Sequence, residues 1–477
     1  MTAAGRTDVP RQRVLVLTDD SVGERMAGPA IRAWNVAELL AEQHDVKLAS
    51  TRRVSGVADS FQVCDGRGDR LRELAAGQQI IVLQGFTLRN NPWLAQTGAK
   101  LVIDLYDPIH LEMLEGGQGN SPAEQTFMLS GGLDALRIQI ELGDFFLCAT
   151  ERQRDLWLGH MSALGRVNFA SYRQDVTLRK LIDVAPFGIP ETPPATGSGA
   201  IKGEIAGIDL ADQVLLWAGG VYNWFDPITL VEAVAMLVPT LPRLRLVFMG
   251  TKHPSVDDLS TVVLAKAIAL SRTLGLLDKH VFFLEGWVPY AERGRYLSDA
   301  DIGVSTHYLH VETAYSFRTR MLDYLWAGLP IVCSEGDEFA GLVTKHALGT
   351  AVPTNDVKAL ATALSDLLTS PEKMAAARDQ VERTAPSFRW RSVLRPLVDY
   401  CADPWSAADG GVDERPAGRW GAMGARLDTR IDHMKIYRDP AARRRVLTNG
   451  RWRVVARRAL GKATGPIRRP LRAMLGR

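Results

Sequence analysis

The residues best suited to chemistry lie in one stretch, STHYLHVETAYSFRTRMLDYLWAGLPIVC, at 305–333. It places an acidic pair and two arginines between two apolar segments typical of buried strands. We predict that a helix begins at Ser316-Phe317-Arg318, where a strand, loop and helix in sequence leave backbone N–H groups unpaired. Those groups suit an anion such as a diphosphate. Asp323, about two turns further on, is placed to accept hydrogen bonds from ribose hydroxyls.

Two other loops that follow predicted strands carry polar residues or glycine. Gly28 precedes Pro29, and only a residue without a side chain lets the backbone come this close to a ligand. Asp107 and His110 follow another strand, so we expect them at the edge of a cleft, although a lone histidine such as His110 equally fits a structural role. The pattern GxGxxG is absent from these loops, which argues against a dinucleotide cofactor.

Strands and helices alternate along the chain in two sets. A segment rich in Pro, Gly, Ser and Thr at 186–203 separates them. This pattern predicts an α/β protein with two Rossmann-like, doubly wound parallel-sheet domains and a cleft between them. Dehydrogenases and epimerases also pair such domains, so architecture alone does not decide function. The predicted strands are 13–18, 46–49, 80–83, 101–105, 145–148, 182–185, 214–217, 244–249, 281–283, 302–304 and 331–333.

The stretch at 305–333 resembles the donor site of retaining glycosyltransferases with the GT-B fold, the group 1 or family 4 type. In that family an acidic residue, seven intervening positions and a Glu precede an A-x-G-x-P turn. Aligned on the turn at 327–330, the second acid falls on Asp323 and the first on Tyr315. Glu312 is the nearest acid that could replace the missing one. The family's His-Asp pair aligns on Tyr106 and Asp107.

The resemblance implies a nucleotide-diphosphate sugar as donor, no metal or other cofactor, and catalytic roles for Asp107, His110 and Glu312. The family loop corresponding to 219–227 carries an Arg and a Lys that hold the diphosphate, and both are absent here. Arg318, Arg320 or Lys252 could compensate. For Arg320 the sequence favours a solvated or salt-bridged helix residue, whereas for Arg318 it favours the site. The donor-binding residues implied are Gly28, Gly220, Asn223, Lys252, Gly286, Val288, Tyr315, Ser316, Phe317, Arg318 and Asp323.

The resemblance and the linker divide the chain into an acceptor domain at 1–187, a donor domain at 188–386, a helix at 387–404 that crosses back, and a basic extension at 405–477. Four widely spaced cysteines without a CxxC pair indicate neither disulfides nor zinc. The sequence has no signal-peptide pattern and no apolar run of about 18 residues. We therefore expect a reducing, cytoplasmic setting.

Charge is divided unevenly, because residues 415–477 hold 18 Lys and Arg against three Asp, while the rest of the chain is acidic. Arginines interleaved with Trp and Leu are typical of a segment lying on an anionic membrane. A disordered soluble tail is the alternative, and the acidic body argues against nucleic acid as partner.

These features predict a peripheral enzyme on the inner face of a membrane that transfers a sugar to a saccharide or lipid-linked acceptor, as for a cell-envelope glycan. A GT-B epimerase that acts on nucleotide sugars and an inactive homologue that serves as a membrane-bound partner are the alternatives. The altered acidic motif and the missing Arg and Lys favour the inactive homologue, whereas the basic tail argues mildly against the epimerase.

Overall fold

A computed structural model describes residues 10–24, 26–194, 199–250, 262–286 and 288–409 of the 477-residue chain. Within these ranges the chain forms a seven-stranded sheet followed by a six-stranded sheet, and every pairing between named strands is parallel. The predicted architecture of two doubly wound α/β domains is confirmed. The basic tail at 415–477 and Lys252 lie outside the described residues.

The first sheet has the strand order β3-β2-β1-β4-β5-β6-β7. Its inner strands are continuous apolar segments, as a parallel sheet with both faces covered requires. The chain order reverses between β1 and β4, which makes the carboxyl ends of these two strands the place where ligands bind in open α/β sheets. The strands are β1 Arg13–Thr18, β2 Asp45–Ser50, β3 Gln62–Asp65, β4 Ile80–Gln84, β5 Lys100–Asp104, β6 Phe145–Cys148 and β7 Ile182–Val184.

The second sheet has the order β10-β9-β8-β11-β12-β13, with its reversal between β8 and β11. The loops that follow these two strands therefore lie side by side at one edge of the sheet. The strands are β8 Gln213–Trp217, β9 Leu244–Phe248, β10 Val281–Phe283, β11 Ile302–Ser305, β12 Ile331–Ser334 and β13 Gly349–Val352.

Helices connect the strands, and several begin at a side-chain cap, as at Asp226, whose carboxylate accepts a hydrogen bond from the Thr229 N–H at 3.0 Å. Among the described residues no helix is long and apolar enough to span a bilayer. The helices are α1 Gly28–Ala41, α2 Arg70–Ala75, α3 Thr87–Asn90, α4 Ile109–Gly116, α5 Pro122–Leu142, α6 Glu151–Ala163, α7 Phe169–Gln174, α8 Pro227–Leu237, α9 Val262–Thr273, α10 Arg293–Ser298, α11 Val311–Tyr315, α12 Arg320–Trp326, α13 Glu338–His346, α14 Val357–Thr369, α15 Pro371–Thr384, α16 Trp390–Val393 and α17 Arg395–Ala402.

The last two helices return to the first domain. The ring of Tyr400 in α17 stacks on Phe145 of β6, with ring centroids 4.7 Å apart, and Tyr400 is fully buried. Arg391 in α16 forms two hydrogen bonds, of 2.8 and 2.6 Å, with the carboxylate of Glu42 at the end of α1. The segment that contains α16 and α17 is thus part of the packing of the first domain.

The predicted strands agree with the structure to within two residues at either end. Two further strands were not predicted, and one predicted helix begins at the wrong residue. β3 and β13 were not predicted, because both are four-residue edge strands without a continuous apolar segment. The helix predicted to open at Ser316 is wrong. Ser316 follows α11, its N–H bonds to the Glu312 carbonyl at 2.9 Å, and the next helix begins at Arg320.

Candidate functional site

A cavity of about 370 Å³ lies between the carboxyl ends of the two sheets, and we call it the cleft cavity. The first domain contributes the start of α1, the β5–α4 loop and α4, whereas the second contributes the β8–α8 loop, α10 and the start of α12. Its walls thus come from the loops at both chain reversals, as expected for a ligand site in α/β sheets. Residues predicted for the site that line it are Gly28, Asp107, Gly220, Ser316, Phe317, Arg318 and Asp323.

Two carboxyl groups form the wall on the first domain. Asp107 and Glu112 share a hydrogen bond, and burial raises the pKa of both, that of Asp107 to about 6 and that of Glu112 well above its usual range. The negative charge of Glu312 across the cleft raises both pKa values further. Glu112 is therefore the protonated donor of this pair at neutral pH, and Asp107 keeps acceptor capacity toward the cavity.

Arg318 and Glu312 form a buried ion pair in the second domain. Two parallel hydrogen bonds of 2.9 and 2.7 Å join the guanidinium to the carboxylate. Glu312 is fully buried and lies behind Arg318, outside the cavity wall, so both of its oxygens are occupied by the arginine. The positive charge of Arg318 is consequently neutralised, which leaves less of it for an anion than the sequence suggested.

Arg320 is the second arginine of this wall, and its charge is not neutralised. Its side chain lies over the rings of Trp217 and Phe225 at 4.3 and 4.1 Å, and its Nη2 donates to the Gly220 carbonyl at 2.6 Å. Its Nη1 is buried without a hydrogen-bond partner, and no carboxylate among the described residues lies within ion-pair distance. Burial lowers the pKa of Arg320 to about 10, since desolvation disfavours the charged form.

Asp323 faces the cavity one turn into α12. Its Oδ1 accepts a hydrogen bond of 3.0 Å from Arg293, and 29% of its side chain remains exposed. Arg293 is itself held between the rings of Tyr290 and Trp326, at 3.6 and 4.3 Å from their centres. The carboxylate is therefore oriented by a rigid partner and still has capacity to accept hydrogen bonds from a ligand.

Several residues predicted for the site lie elsewhere. His110 is buried against the rings of Trp157 and His160, and burial lowers its pKa to about 4, so it is a neutral core residue. The Tyr315 carbonyl accepts a hydrogen bond of 2.7 Å from Gln153, and Asn223 is exposed and accepts one of 3.3 Å from the Val263 N–H. Gly286 and Val288, also predicted for the site, lie outside the cavity wall.

Three residues at the cavity are more prominent in the structure than in the sequence analysis, namely Arg320, Arg293 and Glu112. Arg320 was favoured as a solvated or salt-bridged residue, yet it is 8% exposed and has no carboxylate partner in the described chain. Nothing in the sequence near Arg293 signals its role, because Asp323 and Trp326, which contact it, lie in α12, about thirty residues later in the chain. Glu112 had a signal, since it lies one helical turn after Asp107 and Pro108 at a strand end.

Residues 212–370, about a third of the chain, match the family of Glycosyl transferases group 1. A D-inositol 3-phosphate glycosyltransferase of Thermobispora bispora is 26% identical over 195 residues, which are 40% of this chain and 44% of that protein. The match thus spans less than half of the relative's length. The second domain is of the group 1 glycosyl transferase type.

Solved structures resemble the chain over both domains. The crystal structure of WaaG, a glycosyltransferase involved in lipopolysaccharide biosynthesis, has a TM-score of 0.59 at 17% identity and covers 82% of this chain and 100% of its own. Anabaena HepE in complex with UDP-glucose has a TM-score of 0.55 at 14% identity, with 82% and 99% covered. These similarities establish that the fold is GT-B.

Proposed function

We propose that this chain is a retaining glycosyltransferase of the family 4 type that moves a hexosyl group from a nucleotide-diphosphate sugar to a hydroxyl group. The observation that carries the proposal is the Arg320 guanidinium in the wall of the cleft cavity, buried and with its Nη1 unpartnered. The group 1 domain supports the same activity. The UDP-glucose bound by HepE illustrates a donor of this class.

A buried cation without a counter-charge is costly, because it has lost its hydration and gained no partner. The two neighbouring arginines, Arg318 and Arg293, already have carboxylate partners at 2.7 and 3.0 Å. An anion that enters the cavity therefore gains most at Arg320. A diphosphate matches the planar, two-pronged guanidinium better than a single charge does.

The remaining donor contacts follow from the same wall. Asp323, oriented by Arg293, accepts hydrogen bonds from the ribose hydroxyls, and the backbone between α11 and α12 approaches the phosphates at Phe317. The absence of a side chain at Gly220 leaves room for the Tyr222 ring, which a Cβ there would meet at 2.8 Å. Asp107 accepts a hydrogen bond from a hydroxyl of the transferred sugar.

In the transfer step the acceptor oxygen bonds to the anomeric carbon on the face from which the diphosphate leaves. The carbon–oxygen bond to the phosphate breaks, and the acceptor proton passes to the departing phosphate oxygen. Configuration at the anomeric carbon is thereby retained, and no metal is required. Arg320 stabilises the negative charge that develops on the leaving group, which lowers the barrier more than it favours substrate binding.

The acceptor is membrane-associated or lipid-linked in this proposal, as for a cell-envelope glycan precursor. The excess of Lys and Arg at 415–477 suits the anionic surface of a membrane on its cytoplasmic face. The involvement of WaaG in lipopolysaccharide biosynthesis is consistent with such an acceptor.

The thermal unfolding of the full chain with UDP, GDP, UMP and GMP tests the donor site. We expect one diphosphate to raise the midpoint and the matching monophosphate to do so much less, because ligands that bind only the native state stabilise it. Turnover of a nucleotide-sugar panel, with and without lipid vesicles, then separates transferase from epimerase. If neither UDP nor GDP raised the unfolding midpoint, the proposal would be overturned.

A further inference from the structure

A second, smaller cavity of about 160 Å³ lies in the first domain, and we call it the inner pocket. Its wall includes Asp19 just after β1 and Gln84 at the end of β4, the two strands between which the chain order reverses. Pro29, Tyr106 and Asp107 line both the inner pocket and the cleft cavity. The inner pocket therefore lies next to the cleft cavity.

Gln84 gives the inner pocket an acceptor that the protein leaves unused. Its Nε2 donates to Thr18 Oγ1 at 3.1 Å and to the Pro29 carbonyl at 2.7 Å, and because a carbonyl only accepts, this fixes which end of the amide is nitrogen. The Oε1 is buried without a partner, and the residue is 5% exposed. A buried acceptor without a donor is costly, so a ligand hydroxyl that donates here removes a real penalty.

The carboxyl groups of the inner pocket are also acceptors. Asp19 and Asp107 present carboxyl oxygens, and Asp19 is held in place by the Phe86 N–H at 3.1 Å. Asp104 is already engaged by Arg32, which also donates to the carbonyls of Ala185 and Pro186. The residues that line this pocket include no Lys, Arg or His.

We propose that the inner pocket binds an uncharged, hydroxyl-rich ring of the acceptor, and that Asp19 and Gln84 select it against phosphorylated rings. Ring hydroxyls donate to Asp19 and to Gln84 Oε1, whereas a phosphate group would meet carboxylates with no cation in the wall. A cavity of about 160 Å³ has room for several waters, and hence for the hydroxyl-bearing part of a small ring. This specificity rests on the proposed transferase function.

The test compares matched ligand pairs that differ only by a phosphate, namely myo-inositol with inositol 1-phosphate and glucose with glucose 6-phosphate. Saturation-transfer NMR on the full chain, saturated with UDP, measures binding of each ligand without any need for turnover. We expect at least one neutral ring to bind, and its phosphate to bind at least about tenfold more weakly. Asp19→Asn should reduce the ratio between the affinities for the neutral and the phosphorylated ring. Gln84→Leu should weaken binding of the neutral ring.

The UDP-induced thermal shift of both variants is the control, since neither residue lines the cleft cavity. Equal or tighter binding of the phosphorylated member would overturn the proposal, as would no binding of any neutral ring at millimolar concentration. An unchanged ratio in Asp19→Asn would also overturn it. If neither UDP nor GDP raised the unfolding midpoint of the wild-type chain, the donor site itself would be refuted, so the two failures are distinguishable.

Discussion

Replacing Arg320 by methionine should make the free protein more stable and the nucleotide complex weaker. Methionine keeps an unbranched side chain of similar length between the rings of Trp217 and Phe225, but it carries no charge. In most arginine substitutions binding and stability fall together. Their separation here follows only if the guanidinium is buried without an anion in the free protein.

The magnitude follows from the desolvation of the charge. Burial lowers the pKa of Arg320 from 12.5 to about 10, which at ~1.4 kcal/mol per pH unit destabilises the charged form by about 3 kcal/mol. Methionine removes this destabilisation, but it also loses the hydrogen bond to the Gly220 carbonyl, which costs about 0.5–1.5 kcal/mol. We therefore expect the Arg320→Met chain to gain roughly 2 kcal/mol of unfolding free energy.

Nucleotide binding should change in the opposite direction. One charge-assisted hydrogen bond contributes about 1.5–3 kcal/mol, so the affinity for the nucleoside diphosphate should fall roughly 10- to 150-fold. Urea unfolding and calorimetric titration with UDP or GDP measure the two quantities. Arg272→Met, at an exposed position in α9, is the matched control. It should change the free energies of unfolding and of nucleotide binding by less than about 0.5 kcal/mol each. Wild-type affinity in Arg320→Met would refute the assignment.

Three further substitutions test the buried groups by urea unfolding. Glu312→Gln should cost about 3–5 kcal/mol, because it removes the bidentate partner of the buried Arg318 and leaves only Asp337, at 4.0 Å, as its counter-charge among the described residues. Adding Arg318→Met should recover part of that cost, and a cost below about 1 kcal/mol would contradict the buried pair. Asp107→Asn should stabilise the chain at pH 8 by at most ~3 kcal/mol, because burial raises the pKa of the Asp107 carboxyl from 3.8 to about 6 and disfavours its charged form. That gain should be lost as pH falls from about 6 to about 3.8, and a pH-independent difference would argue against it. Tyr400→Ala should cost about 3–5 kcal/mol if the last helix is part of the first domain's core, and a cost typical of a surface residue would speak against this.

The sequence allowed the fold to be predicted because its strands are continuous apolar segments with two covered faces. The strands at 145–148 and 281–283 were placed to the residue, since strong apolar patterning marks both of their ends. The start of α12 was misplaced because VETAY forms a separate five-residue helix. His310 caps that helix through its Nδ1, which accepts from the Thr313 N–H at 3.2 Å.

The candidate site was predictable only in part, because local sequence shows which residues are near a strand end but not which side chains meet. Arg318 and Arg320 look equivalent in sequence, two residues apart. Their environments differ because Glu312 lies opposite the first, whereas the second meets Trp217 and Gly220, about a hundred residues earlier in the chain. Only the tertiary fold decides which arginine remains without a counter-charge.

The central claim is that the cleft cavity holds a nucleotide-diphosphate sugar and transfers its sugar with retained configuration. The most direct measurement is proton NMR of the reaction of the full chain with a nucleotide-sugar panel and membrane lipids, following the anomeric signal of the product and the released nucleoside diphosphate. We expect release of the diphosphate together with an α-linked product from an α-linked donor, and loss of both in Arg320→Met. An inverted product, or an epimerised nucleotide sugar without transfer, would contradict it.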